Sequence, residues 1–199
     1  MRRLLPVACL LFALPVLAAE TGAVERLLAE NQCRDCDLRE ADLAGANLKD
    51  AYLTYAVFDG ADLTGADMSD TFMPFVRFEG ADMTGIIFDG ANARQAILTG
   101  ATLRGASLKA AALPQASLTE ADLTEADLTS AVLSGANLGR ANLTGAVLRG
   151  ADLSGAVLSG ADLTDADLTD AAMRAAGLKD VTFCRTIMPD ASTRSDGCP

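Results

Sequence analysis

Residues 36–70 read CDLRE ADLAG ANLKD AYLTY AVFDG ADLTG ADMSD, and the same beat continues to residue 190. A large apolar residue falls at Leu38, Leu43, Leu48 and every fifth position to Met188, in 31 consecutive units without a slip. That position is Leu 21 times, Met five times, Phe four times (Phe58, Phe78, Phe88, Phe183) and Ala once, at Ala93. Two residues earlier stands Ala in 25 units; the other six carry Cys36, Thr71, Val76, Ile86, Val181 and Thr186. A period of five fits neither a helix of 3.6 residues per turn nor a plain two-residue alternation. It fits a chain that turns a corner every five residues. Each unit then sends one small and one large side chain inward, two positions apart on one face of an extended segment. Gly follows the central residue by two in 13 units, where a corner needs positive φ or little bulk. Ser or Thr often lies between them, with a hydroxyl able to bond local backbone.

The tandem A(D/N)LxG pattern over residues 36–190 resembles the pentapeptide-repeat family. The resemblance implies an all-β fold, a right-handed quadrilateral β-helix with four units per coil. The 155 residues then make nearly eight coils, a rod about 35 Å long at the usual strand spacing. One unit cannot bury its own apolar side chains; stacked units can.

Outside the repeats, Met1-Arg2-Arg3 followed by the apolar Leu4–Leu17 and the small residues near Ala18 has the layout of a secretory signal peptide, residues 1–18, cleaved before Ala19. The run is short of the roughly 20 residues that span a bilayer, and Pro6 and Pro15 break it, so no stable membrane span is expected after cleavage. The expected location is the periplasm or the extracellular space, with a thylakoid lumen as the further alternative from the family. The chain has 199 residues, 27 acidic against 16 basic, and a formal charge of −11. Loss of Arg2 and Arg3 leaves 14 basic residues and a charge of −13. Such a balance disfavours a nucleic-acid partner. The absence of His removes His-based triads and imidazole metal sites.

Residues 19–35 read as an N-terminal cap. Thr21 to Asn31 suit a short helix with Thr21 as N-cap and Val24, Leu27 and Leu28 on one face. Residues 191–199 read as the closing segment, and FCRTIMPD followed by DGC resembles the close of many secreted family members. Four cysteines lie beyond the signal peptide: Cys33, Cys36, Cys184 and Cys198. On the rod that the resemblance implies, end-to-end pairings are too long for disulfide geometry, which leaves Cys33–Cys36 and Cys184–Cys198. The Cys33-Arg34-Asp35-Cys36 motif also admits zinc or thiol-redox chemistry, but no His, second close Cys pair or thioredoxin-like context accompanies it.

Pro74 and Pro114 each follow a central residue and read as tolerated turn residues. Ala93 leaves either a void or space taken by Met73 and Leu113. Asp precedes the central residue ten times, for example at Asp62, Asp82, Asp122 and Asp162. This reads as a solvated acidic surface, without a calcium-loop spacing and without the cleft a two-carboxylate glycosidase needs. With 20 residues per coil, Tyr52 stacks under Phe72 and Tyr55 under Phe75, an exposed aromatic patch for a protein partner or a second copy. Ile87 and Ile97 are further outward apolar residues. No catalytic residue, cofactor or metal site is expected. The chain reads as an exported non-enzymatic scaffold. The resemblance also offers an acidic DNA-mimicking rod that binds DNA gyrase, which export would separate from its target, and the CxxC offers a thiol redox protein.

Overall fold

The computed structural model describes residues 22–198; the signal-peptide reading of residues 1–18 lies outside them. Parallel bridges join residues twenty apart, from Gln32↔Tyr52 through Tyr52↔Phe72 to Asp167↔Ile187. The protein is therefore a β-helix with twenty residues and four turns per coil. Each five-residue side contributes one bridge residue, too little for a regular strand.

The repeat unit satisfies its backbone almost completely, as buried polar groups require. In the unit Ala61–Gly65, Asp62 N–H donates to Ala41 of the coil before, and Leu63 N–H and Gly65 N–H donate to Asp82 and Thr84 of the coil after. Ala66 N–H closes the turn on Leu63 O at 3.0 Å. The remaining donor, Thr64 N–H, goes to the side chain of Asp62 at 2.9 Å. The fourth position of the unit therefore has no backbone partner for its N–H. Proline loses nothing there, and the carbonyls of Pro74 and Pro114 still accept from Tyr55 and Gln95.

The fifth residue has positive φ in every unit from Asp35 to Arg185, at Gly and non-Gly positions alike. Gly is therefore the unstrained choice at the corner, but the coil forces the conformation on any residue placed there.

Inside, the central residues and the small residues before them form one continuous core, with side chains such as Leu63, Met73 and Phe88 fully buried. Phe58 and Phe78 stack across adjacent coils at 5.1 Å, and Phe78 meets Phe88 edge-on at 6.2 Å. Phe78, Met83, Phe88 and Ala93 belong to one coil. Two rings projecting from opposite sides take up the space that four aliphatic chains fill elsewhere, and Ala93 is small because they are large. The lumen there is filled by Phe78 and Phe88 rather than by Met73 and Leu113 alone.

Both ends are closed. Helix α1 spans Ala23–Glu30 and buries Ala23 and Leu27 against the core of the first coil. Its N-cap is Gly22, at φ 107° and without a side-chain bond; Thr21 lies outside the described residues. Val24 packs partly on the core, but Leu28 is 55% exposed, because a helix resting on the flat end of a coil offers it only a narrow strip. At the other end β1 (Thr186–Ile187) pairs antiparallel with β2 (Thr193–Arg194). Arg194 lies 3.8 Å above the Phe183 ring. Gly197 N–H donates to Phe183 O at 2.8 Å, and a Cβ on Gly197 would sit 2.7 Å from Phe183 N, so only glycine fits this approach. Cys33–Cys36 and Cys184–Cys198 are both bonded, with Cα separations of 5.5 and 4.7 Å.

Two stability predictions follow from the core and the corner. Ala93→Leu overpacks the coil of Phe78 and Phe88 and lowers stability by about 1–3 kcal/mol; adding Phe88→Leu recovers much of the loss in thermal melts. Ala110, at φ 54°, carries no side chain worth keeping, so Ala110→Gly raises stability by roughly 0.5–1 kcal/mol, read as an increase in Tm.

Candidate interaction side

Since the core is fixed by the repeat, outward chemistry varies only at the bridge residue and the two turn residues of each unit. The twenty-residue coil sorts these positions into four sides, named here for Tyr52, Val57, Asp62 and Asp67. Over residues 32–190 the Asp62 side carries seven acids against Arg104 and Arg185, net −5. The Asp67 side carries eight acids against Lys49, Lys109 and Arg149, also net −5. The Val57 side has six acids against four basic residues, net −2. The Tyr52 side has three Arg (Arg34, Arg94, Arg174) against Asp35 and Asp152, net +1. One side of an acidic rod is thus nearly free of acid.

The four candidate aromatic residues all lie on that side. Tyr52 and Phe72 are bridge partners with ring centroids 6.2 Å apart, 64% and 43% exposed. Helix α1 does not cover them. It borders them instead, so that Arg26 and Glu30 form the far wall of a groove of about 460 Å³ floored by Tyr52 and Phe72. At the adjoining corner Tyr55 and Phe75 stack at 5.0 Å with their planes nearly parallel. Arg34 lies 6.0 Å over Tyr55 and Arg94 lies 5.5 Å over Phe75, so two guanidinium groups bracket the two rings. Ile87 and Ile97 fall elsewhere, on the Asp67 and Val57 sides.

Tyr55 and Phe75 also hold φ values of 60° and 63°. These are the corner positions that thirteen other units fill with Gly. A bulky side chain in the left-handed region costs on the order of 1–2 kcal/mol. The stacked coils hold both rings in this conformation at the edge of the Tyr52 side.

The other two candidate groups resolve differently. The Cys33–Cys36 disulfide is buried, with Cys36 in the inward position that Ala takes in most units. Arg26 from α1 reaches it, with Nη2 2.7 Å from Cys36 Sγ and 3.5 Å from Cys33 Sγ, so the bond pins the helix to the first coil. The aspartates are more than a solvated surface. Asp67 Oδ1 accepts from Ser69 N–H at 2.9 Å and from Ser69 Oγ at 2.6 Å, and Asp127 and Asp167 do the same for Thr129 and Thr169. The structure places this role on the (D/N)-x-(S/T) spacing. It was visible in the text, but only the coil shows that the fourth-position N–H has no other acceptor.

These bonds hold the Asp67 carboxyl below the usual carboxylate range, the Ser69 hydroxyl being the main cause and its N–H the next. Asp152 is lowered in the same way by Ser154, and Asp37 by the Arg39 guanidinium. A carboxyl depressed in the folded state favours folding above its unfolded pKa, near 3.9. That contribution is lost as pH falls through the folded value. Tm is therefore expected to hold from neutral pH to about pH 5 and to drop below about pH 4. Asp67→Ala lowers Tm at neutral pH more than Asp67→Asn, which keeps the acceptor.

The family model described as pentapeptide repeats matches this chain in eight copies, over residues 32–70, 75–109, 103–140 and 141–180. Among solved structures, similarity extends to HetL, a pentapeptide repeat protein involved in heterocyst differentiation regulation in the cyanobacterium Nostoc sp. strain PCC 7120. That match has 29% identity, covers 87% of this chain and 98% of that one, and has a TM-score of 0.29. QnrB1, a plasmid-mediated fluoroquinolone resistance protein, matches at 20% identity over 82% of each chain with a TM-score of 0.47. A pentapeptide repeat protein of the Arabidopsis thaliana thylakoid lumen matches at 31% identity over 59% of this chain and 71% of that one, with a TM-score of 0.23. A comparison with curated proteins finds no match.

Proposed function

The chain belongs to the pentapeptide-repeat family, and from that premise we propose that it is an exported, non-catalytic scaffold that works through its Tyr52 side. We read the coil as a right-handed quadrilateral β-helix, a stiff prism whose walls differ only in their outward residues. Such a body has no movable lid, and its interior is filled with side chains, so its chemistry is recognition by a flat wall. The observation that carries the reading is the placement of Tyr52, Tyr55, Phe72 and Phe75 on the single side without net negative charge. The charge on the other three sides keeps the rod soluble and directs approach to this one. The N-terminal segment, with its two Arg and its apolar run, supports export to the periplasm or beyond, where the two disulfides are at home.

Two measurements test this. Expressed from its own Met1 in a Gram-negative host and fractionated, the chain is expected outside the cytoplasm, with a mass that begins at Ala19; an intact chain retained in the cytoplasm would overturn export. Tyr52→Ser with Phe72→Ser is expected to shift stability by only about 0.5 kcal/mol per residue, as exposed sites do, while removing association through this side. Unfolding of the double variant would show instead that the rings serve the fold.

A further inference from the structure

The Tyr52 side is asymmetric along its length, and the asymmetry is self-complementary. In the N-terminal half its bridge and corner positions hold the rings of Tyr52, Phe72, Tyr55 and Phe75. In the C-terminal half the same columns hold small or flat residues, with Val132 the largest apolar one at a bridge and Gly135 and Gly155 at the corner. We infer that the occupant of this side is a second copy of the chain, packed wall to wall and antiparallel about a twofold axis that crosses the rod at its middle.

The register follows from the columns. A twofold axis lying in the contact plane and perpendicular to the rod keeps each column facing itself in reverse order. Phe72 then meets Val132, and Tyr55 and Phe75 meet Gly155 and Gly135, ring on flat backbone. Tyr52 comes opposite Asp152, a phenol donor facing a carboxylate acceptor. At each end Arg34 comes opposite Arg174 in its own column, and Asp35, 3.2 Å from Arg34, offsets one of the two charges. A parallel pairing would put bulk on bulk at one end and leave gaps at the other.

Charge and closure at the ends select the same mode. Contact between any two of the Asp62, Asp67 and Val57 sides brings together walls of net −2 to −5, whereas two Tyr52 sides bring together walls of +1. Stacking end to end, the other way a solenoid assembles, is obstructed by α1 at one end and by the disulfide-pinned β1–β2 hairpin at the other. The area is modest: eight coils at about 4.8 Å by three extended residues give roughly 400 Å² of projected wall per partner. This lies at the small end of specific interfaces, so the dimer is expected to be reversible and concentration-dependent.

This inference rests on the reading of the Tyr52 side as a contact surface, and the variants separate the two. Sedimentation velocity of the purified full chain over a range of concentrations is expected to show a monomer–dimer equilibrium. Gly135→Arg with Gly155→Arg leaves all four rings in place and obstructs only the half on which the partner's rings would rest; Arg140 and Arg185 already occupy the same backbone conformation. This variant is expected to weaken the dimer about tenfold or more, whereas Gly65→Arg with Gly105→Arg, on the Asp62 side, leaves it unchanged. Circular-dichroism melts confirm that each variant is folded. A chain that stays monomeric at all concentrations overturns the second-copy inference and leaves the contact side standing. So does a dimer lost in Tyr52→Ser/Phe72→Ser but kept in Gly135→Arg/Gly155→Arg. A dimer that survives both pairs of substitutions overturns the contact side as well.

Discussion

The backbone hydrogen-bond ladder that joins each residue to its bridge partner's neighbours one coil away is the constraint from which everything else in this molecule descends. It is repeated on every side of every coil, and it fixes the backbone so completely that side-chain identity is left to do only two things. Inward side chains must fill the lumen. Outward ones must tolerate the turn. The one donor the ladder does not use, the N–H of the fourth residue, explains two features with one cause: aspartate or asparagine recurs two positions earlier because it supplies the acceptor, and proline is harmless at that position because it removes nothing.

The same rigidity explains how the protein tolerates costs that a looser fold would avoid. Eighteen corner positions carry a side chain in the left-handed region. In an isolated turn many of these would relax to another conformation. Here the coils before and after hold each corner in place, so residues such as Tyr55 and Phe75 can be displayed at the edge of a wall with their rings stacked and capped by Arg34 and Arg94. Local strain is offset by the stacked backbone, so the outward residues can vary without disturbing the coil.

Charge is written on that surface unevenly. A chain of net −11 would repel its neighbours on all sides if its acids were spread uniformly. They are not: the coil gathers them onto the Asp62 and Asp67 sides and leaves the Tyr52 side almost neutral. Closed ends and charged walls together leave one apolar surface open to contact.

The sequence by itself determined the period, the inward residues, the corner and the closed ends, because each of these depends on spacing along the chain. Leu at every fifth position and Ala two before it admit no other inward set, whereas the four cysteines allow three pairings until the rod separates Cys33 and Cys36 from Cys184 and Cys198. What five-residue spacing does not state is how sharply each corner bends, and therefore which outward residues share a wall. That depends on how four side chains meet across the lumen, as Phe78 and Phe88 do around Ala93. Only the closed coil placed Leu28 in solvent and gave the aspartates a backbone N–H to hold. It also set every acid-poor residue of the Tyr52 column in one line, because a wall is a relation between residues twenty apart, which tertiary hydrogen bonds alone establish.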